Sequence, residues 1–129
     1  MKFVDTKFMR QHNNIKIEER MYLTARLRSK FEDKIPIIVE KLTLESPNIL
    51  KNKFLGNKDD PFYFFQTIIR QYIPSLNSSE GLFLFVITET TQEIPIMSRL
   101  LKEIYQKYKH EDGFLYIGYC IENTFGGTL

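Results

Sequence analysis

The chain has 129 residues, which suits one folded domain, and 43% of them are apolar, enough for a compact core. This composition excludes a disordered chain, and the net charge of +2 is too small to indicate a nucleic-acid-binding protein. Its single cysteine, Cys120, excludes an internal disulfide and fits a reducing compartment. The longest strongly apolar run, 82–87, is far shorter than the ~20 residues that span a bilayer. We therefore expect a cytoplasmic protein that needs an attached group to reach a membrane.

The first half of the chain predicts a helix followed by two strands. Over 15–30, apolar residues recur at helical spacing among charged ones, which indicates an amphipathic helix. The β-branched run 35–40 predicts a strand, and Pro36 lies near its start, where a missing N–H is tolerated. A polar connection leads to a second, short strand over 51–55. We expect a loop over 56–60.

The second half predicts two helices and two strands in alternation. An aspartate at 59–60 is expected to cap a helix that starts with a proline and spans 61–72. The run 82–87 is apolar at every position, which is typical of a central strand. Apolar residues at three- and four-residue steps predict another helix from Pro95 onward, and 114–119 predicts the last strand.

This order of elements predicts the fold class. The first two strands form a hairpin, and a right-handed crossover through a helix brings the later strands beside the first. We therefore predict an α+β fold of the ubiquitin-like β-grasp type, with a four-stranded mixed sheet, crossover helices and an N-terminal helical extension. We divide the chain into a helical subdomain over 1–30, a ubiquitin-like core over 31–122 and a flexible conjugation tail over 123–129.

Six motifs in order resemble those of the autophagy-related ubiquitin-like modifiers, the autophagy-related protein 8 family. This family includes the GABA-receptor-associated proteins and the microtubule-associated protein light chains. The motifs are Lys34-Ile35-Pro36-Ile37-Ile38-Val39-Glu40-Lys41, Lys51-Asn52-Lys53-Phe54-Leu55, Ile68-Ile69-Arg70, Leu82-Phe83-Leu84-Phe85-Val86, Glu111-Asp112-Gly113-Phe114-Leu115-Tyr116-Ile117 and Glu122-Asn123-Thr124-Phe125-Gly126. The resemblance covers roughly residues 17–127. Two departures lie beside the family's binding groove: Gly56-Asn57 replaces its usual Val-Pro, and Ile87-Thr88 replaces two asparagines.

The resemblance implies that the C-terminal tail is a conjugation signal. Residues without a Cβ pass the narrow channels of processing enzymes. In this family a cysteine protease exposes a glycine carboxylate, which E1-like and E2-like enzymes carry as a thioester to the amine of phosphatidylethanolamine. The Phe-Gly match places the cut after Gly126. Cleavage after Gly127, leaving a Gly-Gly end, is the alternative. The partner enzymes supply every nucleophile, so we expect no catalytic residue, cofactor or metal site in this chain.

The resemblance also implies a groove in which an extended peptide joins the second strand. The expected ligand is a short acidic motif of the form aromatic-x-x-aliphatic. The pocket for its aromatic residue maps to Leu23, Leu27, Pro36, Lys53, Leu55 and Phe114. The pocket for its aliphatic residue maps to Phe54, Phe65, Ile68 and Ile69. Lys51, Lys53 and Arg70 are expected to meet the flanking acidic residues. Gly56 is expected to deprive the second pocket of an apolar contact.

The function implied is a monomeric autophagy modifier that recruits cargo receptors and adaptors and supports autophagosome formation. It would be cytoplasmic, and on the autophagosome membrane once lipidated. The alternative is a ubiquitin-like binding module that is never conjugated. A small enzyme is disfavoured, because the two histidines and Cys120 lie in no nucleophile–base or metal-ligand pattern.

Overall fold

The computed structural model describes residues 15–123, which form a mixed sheet with helices on both faces. In chain order the elements are α1 (Ile17–Lys30), β1 (Lys34–Lys41), β2 (Lys53–Asn57), α2 (Phe62–Gln71), β3 (Glu80–Ile87), β4 (Gln92–Glu93), α3 (Leu101–Tyr108) and β5 (Leu115–Asn123). The strands lie in the order β2-β1-β5-β3-β4. β1 and β5 pair in parallel, and all other neighbours are antiparallel. The predicted α+β fold is confirmed, with a short fifth strand added.

The two faces of the sheet carry separate apolar clusters. Because side chains alternate along a strand, Ile37 of β1 points to one face and Ile38 to the other. On the core face, Ile37 packs in the larger cluster with residues of α2 and α3, including Phe65 and Ile104. On the α1 face, Ile38 packs in a smaller cluster with Phe114 and Tyr116. Helix α1 contacts β1 on that second face.

Helix α1 is fastened to the turn that precedes β5. Thr24 is the buried residue of this helix, and its hydroxyl donates to the backbone carbonyl of Asp112 at 2.6 Å. Arg20 forms an ion pair with the Asp112 carboxylate at 3.3 Å. The next residue, Gly113, has φ +92°, and a Cβ there would lie 2.4 Å from the Thr24 hydroxyl oxygen. The turn and the helix therefore fit together only with glycine at this position.

The start of α2 corrects two predictions. Neither Asp59 nor Asp60 caps this helix, because Pro61 occupies the N-cap and no side chain bonds the first turn. Instead the Phe62 amide donates to the Arg99 carbonyl at 2.8 Å, and the Tyr63 amide donates to the Met97 carbonyl at 3.0 Å. These carbonyls satisfy amides that every helix leaves unpaired at its N-terminus. The segment that supplies them cannot itself be helical, so α3 begins at Leu101 and not near Pro95 as predicted.

The strands differ from the prediction in two respects, namely the bounds of β2 and the presence of β4. β2 spans Lys53–Asn57 and not the predicted 51–55. It begins two residues later, and it continues through Gly56 and Asn57, which were predicted to start a loop, because Asn57 still pairs with Lys34 of β1. β4 was not predicted, since it has only two residues and both are polar. It forms where Thr88 and Thr91 close a turn, with the Thr88 amide donating to the Thr91 carbonyl at 2.8 Å.

Candidate peptide-binding edge

β2 lies at one edge of the sheet, and its backbone alternates between β1 and the open side. The Val39 amide donates to the Asn52 carbonyl at 2.8 Å, so this opposed pair is hydrogen-bonded. Hydrogen-bonded and non-bonded pairs alternate along an antiparallel ladder. In the observed register, Phe54 therefore bonds β1, whereas the N–H and C=O groups of Lys53 and Leu55 point away from it. Pro36, which lacks an N–H, lies opposite Leu55, as this pattern allows.

The side chains of β2 alternate between the two faces of the sheet. Lys53 and Leu55 are exposed on the α1 face, where Leu55 lies opposite Pro36. Phe54 and Gly56 are buried on the core face. An extended peptide also alternates its side chains, so residues three positions apart point to opposite faces. A peptide paired with this edge would therefore place the first and fourth residues of a motif on opposite faces of the sheet.

Four of the six residues predicted for the first pocket lie on the α1 face of the sheet: Pro36, Lys53, Leu55 and Phe114. Leu55 remains 38% exposed beside buried Pro36, and Phe114 packs against Ile38 below them. The other two, Leu23 and Leu27, line a groove of about 450 Å³ whose lining includes none of those four residues. It is lined by Leu23, Arg26, Leu27, Ser29, Lys30 and Phe31. Ile38, which was not among the predicted residues, shares this face, since it lies two residues after Pro36 in the same strand and opposite Lys53.

The second predicted pocket is filled in this structure. Phe54 and Phe65 meet edge to face, with ring centroids 5.7 Å apart. Phe54, Phe65 and Ile69 are buried, so among the four predicted residues Ile68 alone is partly exposed. These residues do lie together, but as a packed floor and not as an open cavity.

The space beside Gly56, where the second pocket was expected to lack an apolar contact, is occupied by side chains of other elements. A Cβ at this position would lie 2.8 Å from Leu101 Cδ1 and 3.0 Å from Ile37 Cδ1. Leu101, from α3, therefore supplies the apolar contact beside the glycine. No local pattern pointed to Leu101, because it lies 45 positions further along the chain.

The three predicted basic residues have different surroundings. The Lys51 ammonium lies 4.8 Å from the centroid of the Phe54 ring and 5.4 Å from that of Tyr72. Lys53 is exposed on the open edge. The Arg70 guanidinium donates to the carbonyl of Glu80 at 2.9 Å. Lys51 and Lys53 are thus placed beside the edge, whereas Arg70 supports the connection between α2 and β3.

The α1 face is held in place by a buried carboxylate. Asp112 accepts hydrogen bonds from the Tyr116 hydroxyl at 2.5 Å and the Phe114 amide at 2.9 Å, besides the Arg20 ion pair. Burial raises the pKa of Tyr116, and the hydrogen bond to Asp112 raises it further. This network joins α1 to the turn before β5 and to Tyr116, so the position of α1 on the sheet depends on Asp112.

The predicted processing site at Gly126 lies outside the described residues, as does Gly127. The structure describes the chain as far as the end of β5. Within residues 15–123, none of the helices has the length and apolar character needed to cross a bilayer.

A mixed sheet with a parallel central pair, helices on both faces and an open edge strand defines a ubiquitin-like domain. The family model described as "Autophagy protein Atg8 ubiquitin like" matches residues 19–126. The chain belongs to this Atg8 family of ubiquitin-like autophagy proteins, which confirms the resemblance seen in the motifs.

Individual relatives agree with this assignment. Autophagy-related protein 8 of Dictyostelium discoideum is 39% identical over 118 residues, covering 91% of this chain and 93% of its own length. The crystal structure of Trypanosoma brucei ATG8 has a TM-score of 0.71 at 33% identity, covering 95% of this chain and 100% of that one. Plasmodium falciparum Atg8, solved in complex with a Plasmodium falciparum Atg3 peptide, has a TM-score of 0.71 at 30% identity, covering 84% and 92%.

Proposed function

We propose that this autophagy protein is a lipid-conjugated modifier that recruits partners through the β2 edge. The observation that carries the recruiting role is the alternation of β2, which places Leu55 on one face and Phe54 on the other. The two anchors of an aromatic-x-x-aliphatic motif are three positions apart, so in an extended peptide they point to opposite faces of the sheet. One peptide added to β2 would therefore contact both faces. Cargo receptors and adaptors with such motifs are the proposed partners.

Charge near the edge supports the acidic character of the ligand. Lys53 is exposed beside the outward backbone groups, and Lys51 lies at the N-terminal approach to β2. Acidic residues that flank the motif would meet both lysines. Each such exposed ion pair contributes only about 0.2–1 kcal/mol, so the charges would guide the peptide while the apolar anchors provide most of the affinity.

The conjugating role is proposed from the tail and the family. A cysteine protease would hydrolyse the peptide bond after Gly126 and release Gly127-Thr128-Leu129. E1-like and E2-like enzymes would then carry the new carboxylate as a thioester to the amine of phosphatidylethanolamine. The Plasmodium relative bound to an Atg3 peptide supports contact with a conjugation enzyme. Two acyl chains would hold the product on the autophagosome membrane, while unconjugated protein stays cytoplasmic.

Intact mass spectrometry of the protein recovered from cells with induced autophagy tests the conjugation. We expect a species that ends at Gly126 and carries phosphatidylethanolamine. Gly126→Ala should abolish this species, whereas Gly127→Ala should retain it if the cut follows Gly126. If the full-length mass alone is recovered during autophagy, the protein is a binding module that is not conjugated.

A further inference from the structure

The residues predicted for the second pocket belong to β2 and α2. A residue of a third element, α3, completes the floor beneath them. Gly56 is buried on the core face of β2, and Phe65 faces it from α2. The space that a side chain at 56 would occupy is taken by Leu101, whose Cδ1 is 2.8 Å from the ideal Cβ position. Leu101 is itself 1% exposed. The glycine and the leucine are therefore complementary in shape across β2 and α3.

Leu101 is held firmly in this position by its backbone. Its amide donates to the Asp60 carbonyl at 2.8 Å, and the next amide, of Lys102, donates to the Lys58 carbonyl at 3.0 Å. The Lys102 ammonium also pairs with the Asp59 carboxylate at 3.1 Å. These contacts pin the start of α3 to the connection that follows β2. They fix the backbone from which the buried Leu101 side chain extends.

We propose that Leu101 sets the depth of the second pocket, so that the pocket gains no further affinity from an aliphatic ligand side chain longer than valine. This inference rests on the proposed peptide-binding function. With the floor filled, a ligand side chain contacts the partly exposed Ile68 and the rim of Phe54 but does not sink between them. A larger ligand residue therefore gains little additional burial. Shortening Leu101 should lower the floor and make larger residues preferable.

Titration of two synthetic peptides tests this proposal. Both have an acidic flank and a Trp-x-x-aliphatic motif, one ending in valine and the other in leucine. Wild type should bind them with dissociation constants within about twofold, since the added methylene is not buried. Leu101→Ala should shift the ratio about fourfold towards the leucine peptide, the value expected for one buried methylene. Leu101→Val should shift it in the same direction by less.

Refilling the space from the strand provides the matched control. The Gly56→Ala methyl lies 2.8 Å from the Leu101 Cδ1 position that Leu101→Ala vacates, and the Ile37 Cδ1 atom 3.0 Å away need shift only slightly, so the double variant should move the ratio back towards the wild-type value. Thermal unfolding identifies the folded variants, and Leu101→Val serves if Leu101→Ala does not fold. An unchanged peptide ratio in a folded Leu101 variant would overturn the proposal while leaving the groove intact. If wild type binds neither peptide, the groove assignment fails and this inference fails with it.

Discussion

Asp112→Ala should loosen the attachment of α1. It should lower the free energy of unfolding by more than the loss of a single ion pair would. The carboxylate is 3% exposed and accepts from Arg20, Tyr116 and the Phe114 amide. Removing one partner of a buried charged pair costs about 3–5 kcal/mol, because the remaining donors stay in a dry environment. With a urea m-value of about 2 kcal/mol/M, the unfolding midpoint should fall by about 2 M.

The control for this prediction is Tyr116→Phe, which removes one hydrogen bond to the same carboxylate. It should cost about 1.5–3 kcal/mol, as expected for a bond to a charged acceptor. Because Asp112 and Tyr116 share one network, the double variant should cost less than the sum of the two single variants. Urea unfolding followed by circular dichroism measures all three. A loss below about 1 kcal/mol for Asp112→Ala, or strictly additive losses, would refute this account of how α1 is held.

Three further variants or conditions test other parts of the structure. Gly113→Ala should destabilise the fold by about 1–2 kcal/mol or more, because its φ of +92° disfavours a Cβ, and Gly81→Ala, without a positive φ, should cost less in thermal unfolding. Burial raises the pKa of Tyr116. The unfolded chain therefore loses this proton first, and stability should fall above about pH 10. Tyr116 contributes about 1.4 kcal/mol per pH unit to this slope, and Tyr116→Phe should remove that share, whereas Tyr105 and Tyr119, whose pKa burial also raises, still contribute theirs. Leu55→Ala should weaken binding of an acidic aromatic-x-x-aliphatic peptide about fivefold in calorimetry, while Leu44→Ala, equally apolar but away from the edge, should not. Equal affinities of Leu55→Ala and wild type would rule out the first pocket.

Sequence patterns predicted well those elements whose burial follows from the local order of apolar and polar residues. The β-branched run of β1 and the apolar run of β3 predicted their strands closely. β1 is buried on both faces, as its composition indicates, whereas β3 buries one face and leaves Phe83 exposed on the other. The start of α3 was predicted too early. Met97 and Leu100 have helical spacing with the residues that follow, but the carbonyls of this segment bond the first turn of α2. The bonding of these carbonyls to α2 is a tertiary contact, which a local sequence pattern does not indicate.

The candidate site shows the same division between local and tertiary information. The edge strand and its exposed Leu55 follow from the motif order and the alternation of side chains. That Ile38 lies on the same face as Pro36 could have been predicted from their two-residue spacing in one strand. The contact of Leu101 with Gly56 could not, because it depends on how α3 crosses the core face.

Amide hydrogen exchange at β2 tests the central claim, that an acidic motif peptide binds as an added strand. The peptide should slow exchange at Lys53 and Leu55, whose amides point outward, and change Phe54 little, because its amide already bonds β1. Exchange measured by NMR on labelled protein, with and without the peptide, resolves each position. Protection confined to Lys53 and Leu55 is the result we predict. Protection elsewhere, with these two amides unchanged in a peptide-bound protein, would contradict it.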